Sequence, residues 1–276
     1  MKTNIDHYAV MGNPVAHSKS PHIHTAFAHH TQQSLQYDTI LVGTKTGEFA
    51  QAVQTFQQTA GLGLNITVPF KQTAWNLVDI RQKRAERAEA VNTLWFDEQG
   101  RIIGDNTDGV GLVRDLTQNH DHQITDKRVL ILGAGGAVRG ILAPLLDKNP
   151  AQCVIINRTA SKAATLVKLF ADLGNISMST HDTLQSYDLI INGTSASLHG
   201  ELPALPDNIL NKNSCCYDMM YANTPTPFLQ WAKQQGALLA IDGLGMLVEQ
   251  AAESFYLWRG VRPDTASVIK QMRNTN

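Results

Sequence analysis

The sequence has little of what marks an exported or membrane protein. Three of its 276 residues are cysteines, and two of them, Cys215 and Cys216, are adjacent. This is a poor basis for a disulfide framework. The first residues, MKTNIDHYAVMGNP, hold no apolar stretch long enough for a signal peptide, and no later run is long enough to span a bilayer. We therefore expect a cytoplasmic protein with reduced thiols.

The sequence also lacks an excess of charge of either sign. Lys and Arg total 23 and Asp and Glu total 24, so the formal net charge is -1. Such a balance gives no basic surface for nucleic acid or an anionic membrane, and we expect a small-molecule ligand instead. Ten histidines are present, but those of the first helix have no cysteine or carboxylate at ligand spacing. We predict no metal site and interpret His22, His24, His29 and His30 as a solvated helix face.

Two patterns of strands and helices divide the chain. Up to about residue 108, short strand-like runs alternate with amphipathic runs, of which 74–88 is predicted to form one charged helix. From residue 128 onward, fully apolar strands alternate with helices, which predicts a parallel sheet covered on both faces. The stretch 243–272 is mostly helical in pattern. We predict an α/β protein in which residues 1–108 and about 243–276 form one domain, and residues 109–242 form a doubly wound, Rossmann-type domain.

Local signals predict where several helices begin and end. Ser20 can cap a helix that starts at Pro21, and Gly61 can close the helix over residues 48–59. The run from Arg81 to Glu89 alternates in sign, which is typical of an exposed helix face.

A glycine turn at residues 133–136 follows an apolar strand and precedes a helix. Gly133 permits the tight turn, Gly135 lets the backbone approach a pyrophosphate, and the helix N-terminus offers free N–H groups to that anion. Val138 replaces the third glycine of the usual fingerprint. Because the strand and the helix are in the required order, the turn predicts a dinucleotide site. The residues assigned to it are Gly133, Ala134, Gly135, Gly136 and Ala137.

The end of the next strand indicates which dinucleotide is bound. An NAD site usually carries an acid there for the ribose 2′-hydroxyl, whereas this strand ends in Asn157-Arg158-Thr159, with Lys162 nearby. Arg158 can stack on adenine and pair with a 2′-phosphate. The sequence therefore predicts NADP as the cofactor, with these four residues in its site.

Several motifs resemble, in order and spacing, the signatures of the shikimate dehydrogenase family. They are Ser18-Lys19-Ser20-Pro21, NITVPFK from Asn65 to Lys71, Ala90-Val91-Asn92-Thr93, GDNTDG from Gly104 to Gly109, and DGLGMLVEQ from Asp242 to Gln250. The resemblance runs from about residue 8 to residue 270. It implies an N-terminal substrate domain to which the C-terminal helices return. It also implies an NADP-dependent oxidoreductase that reversibly reduces 3-dehydroshikimate to shikimate in aromatic amino acid and chorismate biosynthesis.

The resemblance also implies roles for particular residues. Lys71 would be the acid/base and Asp108 its partner, which suits a ketone reduction because the carbonyl oxygen needs a proton donor. An Asp beside a Lys can hold and pass a proton as a coupled pair. The implied substrate-binding residues are Ser18, Ser20, Asn65, Thr67, Asn92, Tyr221 and Gln250, with the serines and Tyr221 on the carboxylate and the others on ring hydroxyls. Thr194, Met219 and Gly243 would lie on the nicotinamide side.

Three alternatives remain open at the level of the sequence. One is an enzyme of the same fold that also oxidises quinate or uses NAD, although an acid would then be expected near Arg158. Another is a non-catalytic NADP-sensing protein, which should have lost Lys71 or Asp108. The third is a different Rossmann dehydrogenase, such as a folate-linked one, in which the serine motif and Gln250 would lack a purpose. We expect a monomer or a homodimer.

Overall fold

The computed structural model describes residues 5–179, 185–194, 196, 200–203, 205 and 208–274. The chain divides into two compact units: unit 1 comprises Met1–Gly111 and Val248–Asn276, and unit 2 comprises Leu112–Leu247. Within the described part of the chain, none of the helices is both long and apolar enough to cross a membrane.

Unit 1 is built on a six-stranded mixed sheet. Its elements in chain order are β1 (Asp6–Gly12), α1 (Ser20–His30), β2 (Leu35–Leu41), α2 (Glu48–Gln58), β3 (Gly61–Ile66), α3 (Lys71–Leu77), β4 (Ile80–Arg81), α4 (Lys83–Ala88), β5 (Thr93–Phe96) and β6 (Ile102–Asp105). The strand order is β2-β1-β3-β5-β6-β4. β5 is antiparallel to β3 and to β6, and the other pairings are parallel. Leu64, Val53 and Leu94 belong to the core on one face of this sheet.

The helix α5 (Asp108–Arg114) and a π-helical turn (Asp115–Asn119) lead into unit 2. The elements that follow are β7 (Arg128–Leu132), α6 (Gly136–Leu146), β8 (Gln152–Ile156), α7 (Ala160–Phe170), β9 (Ile176–Met178), β10 (Tyr187–Asn192), β11 (Leu210–Asp218), α8 (Pro227–Gln234) and β12 (Leu239–Asp242). Then α9 (Leu244–Arg259) carries the chain back to unit 1, where α10 (Thr265–Asn274) ends the described residues.

The sheet of unit 2 is parallel in every described pairing, in the order β12-β11-β10-β7-β8-β9. β7 is central, and the chain winds outward from it first to one side and then to the other, which is the doubly wound arrangement. Alternate residues of β7 enter different cores, Ile131 on one face and Leu130 on the other. The fully apolar strands are thus covered on both faces, and the predicted fold class is confirmed.

The prediction of a single helix over residues 74–88 is wrong. The chain leaves α3 at Val78, which is extended, and Asp79 then exchanges hydrogen bonds with Ile102. This contact starts the pairing of β4 with β6. A strand edge to which residues 80–81 could pair overrides the local helical pattern, because tertiary context routinely outweighs propensity.

Two predicted helix boundaries are also wrong. Ser20 is the first residue of α1 rather than its cap, and the Ser18 hydroxyl accepts a hydrogen bond from the Ser20 N–H at 3.3 Å. Ala60, not Gly61, takes the left-handed conformation after α2, with φ +62. Gly61 serves a different purpose, because a Cβ there would lie 2.1 Å from the Phe56 ring.

One of the four histidines interpreted as a solvated face is in the interior. His24 is fully buried, and its ring stacks on that of Tyr37 with the centroids 4.2 Å apart. Neither ring nitrogen has a hydrogen-bond partner among the residues that the structure describes. His22, His29 and His30 are exposed, as predicted.

Candidate active site

Lys71 and Asp108, which are 37 positions apart in sequence, are in contact in unit 1. Lys71 begins α3 directly after the turn in which the Phe70 N–H binds the Thr67 carbonyl. Asp108 begins α5, and its N–H donates to the Asn106 side chain at 3.1 Å. The Lys71 Nζ lies 2.5 Å from Asp108 Oδ2, with the lysine side chain 25% exposed and the aspartate 9%. The ammonium can therefore be reached from solvent while its partner is held in the protein.

Asn92 fixes the other side of the Asp108 carboxylate. Its Nδ2 donates to Asp108 Oδ1 at 2.7 Å and lies 3.3 Å from Gln250 Oε1 on α9. Its Oδ1 accepts from the Thr107 N–H at 2.9 Å. Asn92 lies just before β5, so this amide joins the sheet, the loop before α5 and the helix α9. Lys71, Asp108, Asn92 and Gln250, four of the predicted residues, thus form one connected group.

Asn65, near the end of β3, extends this group into a buried network. Its Oδ1 accepts from the Tyr37 hydroxyl at 2.7 Å, and its Nδ2 lies 3.0 Å from Ser254 Oγ and 3.2 Å from the Asn92 carbonyl. Burial raises the pKa of Tyr37 well above its ordinary value, and the Ser20 hydroxyl opposes that rise. The network therefore connects Ser20 and Asn65, two predicted substrate ligands, through a neutral tyrosine.

Ser18 and Thr67 have backbone roles that the structure shows directly. Ser18 receives the Ser20 N–H at the start of α1. Thr67 donates its N–H to Met11, and its methyl group occupies the space that a Cβ on Gly12 would need, at 2.3 Å. Both side chains are half-buried. Tyr221, the remaining predicted substrate ligand, belongs to unit 2 and is half-buried, and burial raises its pKa.

The glycine turn of unit 2 lies where β7 meets β10, at the point where the strand order reverses. Gly133 has φ +105, a backbone conformation that side chains rarely adopt, and its N–H binds the Ile156 carbonyl. At Gly135 and Gly136 a Cβ would have no atom of the described residues within 4 Å, apart from their own chain neighbours and the backbone of α6, and Ala137 is exposed as well. Ala134 is half-buried and packs on the core. The turn and the N-terminus of α6 thus face open space, as a pyrophosphate would require.

A second glycine compensates for the missing third glycine of the fingerprint. Val138 is fully buried, and a Cβ on Gly193 would lie 2.4 Å from its side chain. Gly193 follows β10, the neighbour of β7. The close packing that a helix glycine normally allows is achieved here by a glycine on the adjacent strand end.

The end of β8 presents its polar residues to solvent. Arg158, Thr159 and Lys162 are exposed, and Asn157 Nδ2 binds the Thr159 carbonyl at 2.8 Å, which shapes the start of α7. Arg158 follows by two positions the residue whose carbonyl binds Gly133, and the sequence from 157 to 162 holds no acid. An exposed guanidinium at this strand end fits an additional phosphate.

A buried carboxylate at the end of β11 binds the end of β10 and the residue that caps α8. Asp218 accepts from Asn192 at 3.1 Å and from the Thr226 hydroxyl at 2.6 Å. Asn192 in turn accepts from Thr194 Oγ1 at 2.7 Å. Gly243 is required next to Met219, because a Cβ there would lie 2.3 Å from the Met219 carbonyl oxygen. Thr194, Met219 and Gly243 are thus held at one end of the sheet.

Sequence reasoning missed several residues of these networks. In unit 1 they are Tyr37, Thr107 and Ser254, together with Arg84, which binds the carboxylates of Asp105 and Glu253. In unit 2 they are Asp115 and Tyr217, whose hydroxyl donates to Asp115 at 2.6 Å. Ser254 could have been found, because it lies four residues after Gln250 and so shares its helix face. Among the described residues, no group of three or more His, Cys, Asp or Glu could hold a metal ion.

Unit 2 has the architecture of a dinucleotide-binding domain, and unit 1 carries a Lys–Asp pair in a polar network. Three family models match the chain. "Shikimate dehydrogenase substrate binding domain" matches residues 10–94, "Shikimate / quinate 5-dehydrogenase" matches residues 115–200, and "Shikimate 5'-dehydrogenase C-terminal domain" matches residues 243–273. The chain belongs to the shikimate dehydrogenase family.

Individual relatives are similar over nearly the whole chain. Shikimate dehydrogenase (NADP(+)) of Alkalilimnicola ehrlichii is 58% identical over 269 residues, which are 97% of this chain and 98% of that protein. The crystal structure of an Ael1 enzyme from Pseudomonas putida superposes with a TM-score of 0.91 at 46% identity, covering 96% of this chain and 97% of that one. Shikimate 5-dehydrogenase from Thermus thermophilus, in complex with NADP(H) and shikimate, has a TM-score of 0.87 at 28% identity, covering 99% of this chain and 100% of that one.

Proposed function

We propose that this chain is an NADP-dependent oxidoreductase that interconverts 3-dehydroshikimate and shikimate, in the biosynthesis of chorismate and the aromatic amino acids. The observation that carries the proposal is the 2.5 Å contact of Lys71 with Asp108 inside a network of amides and hydroxyls. The relative from Alkalilimnicola ehrlichii, at 58% identity, bears the name of this activity.

Lys71 is the proton-handling group in this proposal. In the reducing direction its ammonium gives a proton to the ketone oxygen, which becomes the hydroxyl of the product, and in the oxidising direction the amine takes that proton back. Asp108 orients the Nζ through their contact and is itself held by Asn92 and by its own N–H on Asn106. A lysine that is three-quarters buried yet reachable suits a group that must meet a substrate.

The ring substrate carries one carboxylate and several hydroxyls, and it needs short polar partners. Ser18 and Ser20 are assigned to the carboxylate together with Tyr221, and Asn65, Thr67, Asn92 and Gln250 to the hydroxyls. Support comes from the hydrogen-bond network, which fixes the amide orientations of Asn65 and Asn92 before any ligand arrives. Such preorganisation lowers the entropic cost of binding.

The residues of unit 2 fit NADP. The open space at Gly135 and Gly136, the N-terminus of the 11-residue helix α6 and the exposed Arg158 suit the pyrophosphate and a 2′-phosphate. We assign the pyrophosphate to residues 133–137, the 2′-phosphate to residues 157–159 and Lys162, and the nicotinamide side to Thr194, Met219 and Gly243. When bound, NADPH supplies the hydride for the reduction.

A four-way assay tests the proposal. The purified protein is mixed with shikimate or quinate and with NADP or NAD, and the absorbance of the reduced nicotinamide is followed. We expect the highest kcat/KM with shikimate and NADP. Absence of turnover with shikimate would refute the proposal, and a higher kcat/KM with quinate or NAD would favour the broader enzyme instead.

We also propose that the enzyme acts in the cytoplasm as a monomer or a homodimer. The three cysteines are free and buried, in support of a reducing compartment. Light scattering of the purified protein measures its mass directly, and a tetramer would contradict the second half of this proposal.

A further inference from the structure

We propose that Arg84 is a positioning residue for Asp108 and Gln250. It acts through its contacts with two carboxylates, those of Asp105 and Glu253. This inference rests on the proposed function of the Lys71–Asp108 site. The sequence pattern predicts that Arg84 lies on an exposed helix face, but its side chain is only 28% exposed and binds two nearly buried acids. These acids lead to different parts of the site.

The first contact fixes the loop that carries Asp108. The Arg84 Nη2 and Nε donate to the two oxygens of Asp105 at 2.5 and 3.1 Å. The same carboxylate accepts the Asn106 N–H at 2.7 Å, and the Asn106 side chain accepts the Asp108 N–H at 3.1 Å. The guanidinium is therefore linked to the backbone of Asp108 through Asp105 and through Asn106, which binds Asp105 with its N–H and Asp108 with its side chain.

The second contact fixes the helix that carries Gln250. The Arg84 Nη1 donates to Glu253 Oε1 at 2.9 Å, on α9. Arg262 binds the other oxygen of Glu253 at 2.8 Å. Gln250 precedes Glu253 by three residues, so the two share nearly one face of the helix. Any rotation of α9 that released Glu253 would also move Gln250 away from Asn92.

Only a guanidinium can make both contacts at once. Arginine presents its donors in a rigid planar fork, whereas lysine offers a single point charge. Asp105 is 2% exposed and Glu253 is 6% exposed, and a buried carboxylate that loses its partner strongly destabilises the structure. Arg84→Ala is therefore expected to harm folding, whereas Arg84→Lys keeps the charge and changes only the geometry.

The two contacts can be tested separately by kinetics with shikimate and NADP. Asp105→Asn weakens the contact that orients Asp108, so we expect mainly a lower kcat. Glu253→Gln weakens the contact that orients Gln250, so we expect mainly a higher KM for shikimate. Arg84→Lys is expected to show both effects, with kcat/KM lower by about tenfold to a hundredfold, the loss that a displacement of about 1 Å can cause.

Arg101→Lys is the matched control, because Arg101 also binds a carboxylate, Asp97, but is 54% exposed. The folded fraction of every variant is measured by thermal unfolding at the assay temperature. Wild-type kinetics in Arg84→Lys, or losses that match the loss of folded protein without a split between kcat and KM, would overturn the inference. An inactive wild-type protein would instead refute the proposed function.

Discussion

The two units build their sites from different materials. In unit 2 the cofactor site is mainly backbone: a strand, a turn with φ +105 at Gly133 and the first N–H groups of α6. In unit 1 the site is made of side chains from β3, α3, α5, α9 and the residue just before β5, joined by hydrogen bonds between residues as far apart as Asn65 and Ser254. A backbone site is local in sequence, and a side-chain network is not.

This difference predicts how each site fails. Binding at a backbone turn tolerates the loss of a side chain. It is sensitive to an added side chain, because the turn must leave space for the ligand. A side-chain network is sensitive to the loss of any member, because each buried polar group then leaves a partner unsatisfied. Substitutions in unit 1 should thus change the chemistry, and those in unit 2 the affinity for the cofactor.

Lys71→Ala should have the largest effect. Loss of a positioned proton donor typically costs about 10²- to 10⁴-fold, so we expect kcat to fall by that range while NADPH binding, measured by fluorescence titration, is retained. Lys45→Ala, at an exposed position of the same unit, is the control for removal of a lysine. Near-normal turnover of Lys71→Ala would remove Lys71 from its role and with it the contrast between the units.

The Lys71–Asp108 pair also marks the limit of what the sequence predicts in unit 1. The local environment of each residue is recognisable, a strand end and a helix start, but spacing alone does not join positions 37 apart. Resemblance to the family supplied the pairing. Tyr37, Arg84 and Ser254 lay outside the matched motifs and were missed, although they hold Asn65, Asp105 and Thr93. Residues belong to such a network because they are in contact in three dimensions. The sequence has no periodic pattern from which these contacts could be predicted.

Arg158→Ala should cause the next largest effect. Hydrogen bonds to a charged group contribute about 1.5–3 kcal/mol, so we expect the Kd for NADPH to rise about tenfold to a hundredfold. The Kd for NADH, which lacks the 2′-phosphate, should stay within about twofold of the wild-type value. Lys168→Ala is the control, because Lys168 lies in the last turn of α7, the helix that follows Arg158. An unchanged preference for NADPH over NADH would contradict the assignment of the 2′-phosphate to Arg158.

Gly135→Ala tests whether the space at the glycine turn is needed for cofactor binding and not for the stability of the fold. Apart from the chain neighbours of Gly135, no atom in the part of the chain that the structure describes lies within 4 Å of the added Cβ, so the unfolding temperature should stay that of the wild type. A methyl group in the path of the pyrophosphate should cost about 1–3 kcal/mol of NADPH binding, as overpacking does elsewhere. Gly243→Ala should behave in the opposite way and lower the unfolding temperature, because its Cβ would meet the Met219 backbone at 2.3 Å.

Unit 2 could be predicted from sequence to a greater depth than unit 1. The apolar strand before the glycine turn and the helix after it were predicted in the observed order, and they are β7 and α6, because turn glycines and apolar runs are local signals. The pairing of Val138 with Gly193 could not be predicted, since the two residues meet only when β10 lies beside β7. Even in unit 2, the contacts between helices and strands could not be predicted from the sequence.

His24 offers the smallest effect and probes the interior of unit 1. Burial lowers the pKa of His24 to about 3. The unfolded chain binds a proton below about pH 6.5, whereas the folded protein does not until about pH 3. The free energy of unfolding is therefore unaffected by His24 well above about pH 6.5 and decreases as the pH falls below that value. At about pH 5.5 it is lower by about 1.4 kcal/mol than at about pH 7.5.

His24→Phe removes the titrating group and keeps a ring against Tyr37. We expect its free energy of unfolding in urea to fall less between about pH 7.5 and about pH 5.5 than that of the wild type, by about 1.4 kcal/mol. His22→Phe, on the exposed side of the same helix, controls for the substitution itself. Equal pH slopes in His24→Phe and the wild type would mean that the buried ring is not kept neutral by burial. The interior of unit 1 would then be more open to water than its packing implies, and the contrast with unit 2 would rest on the Lys71–Asp108 site alone.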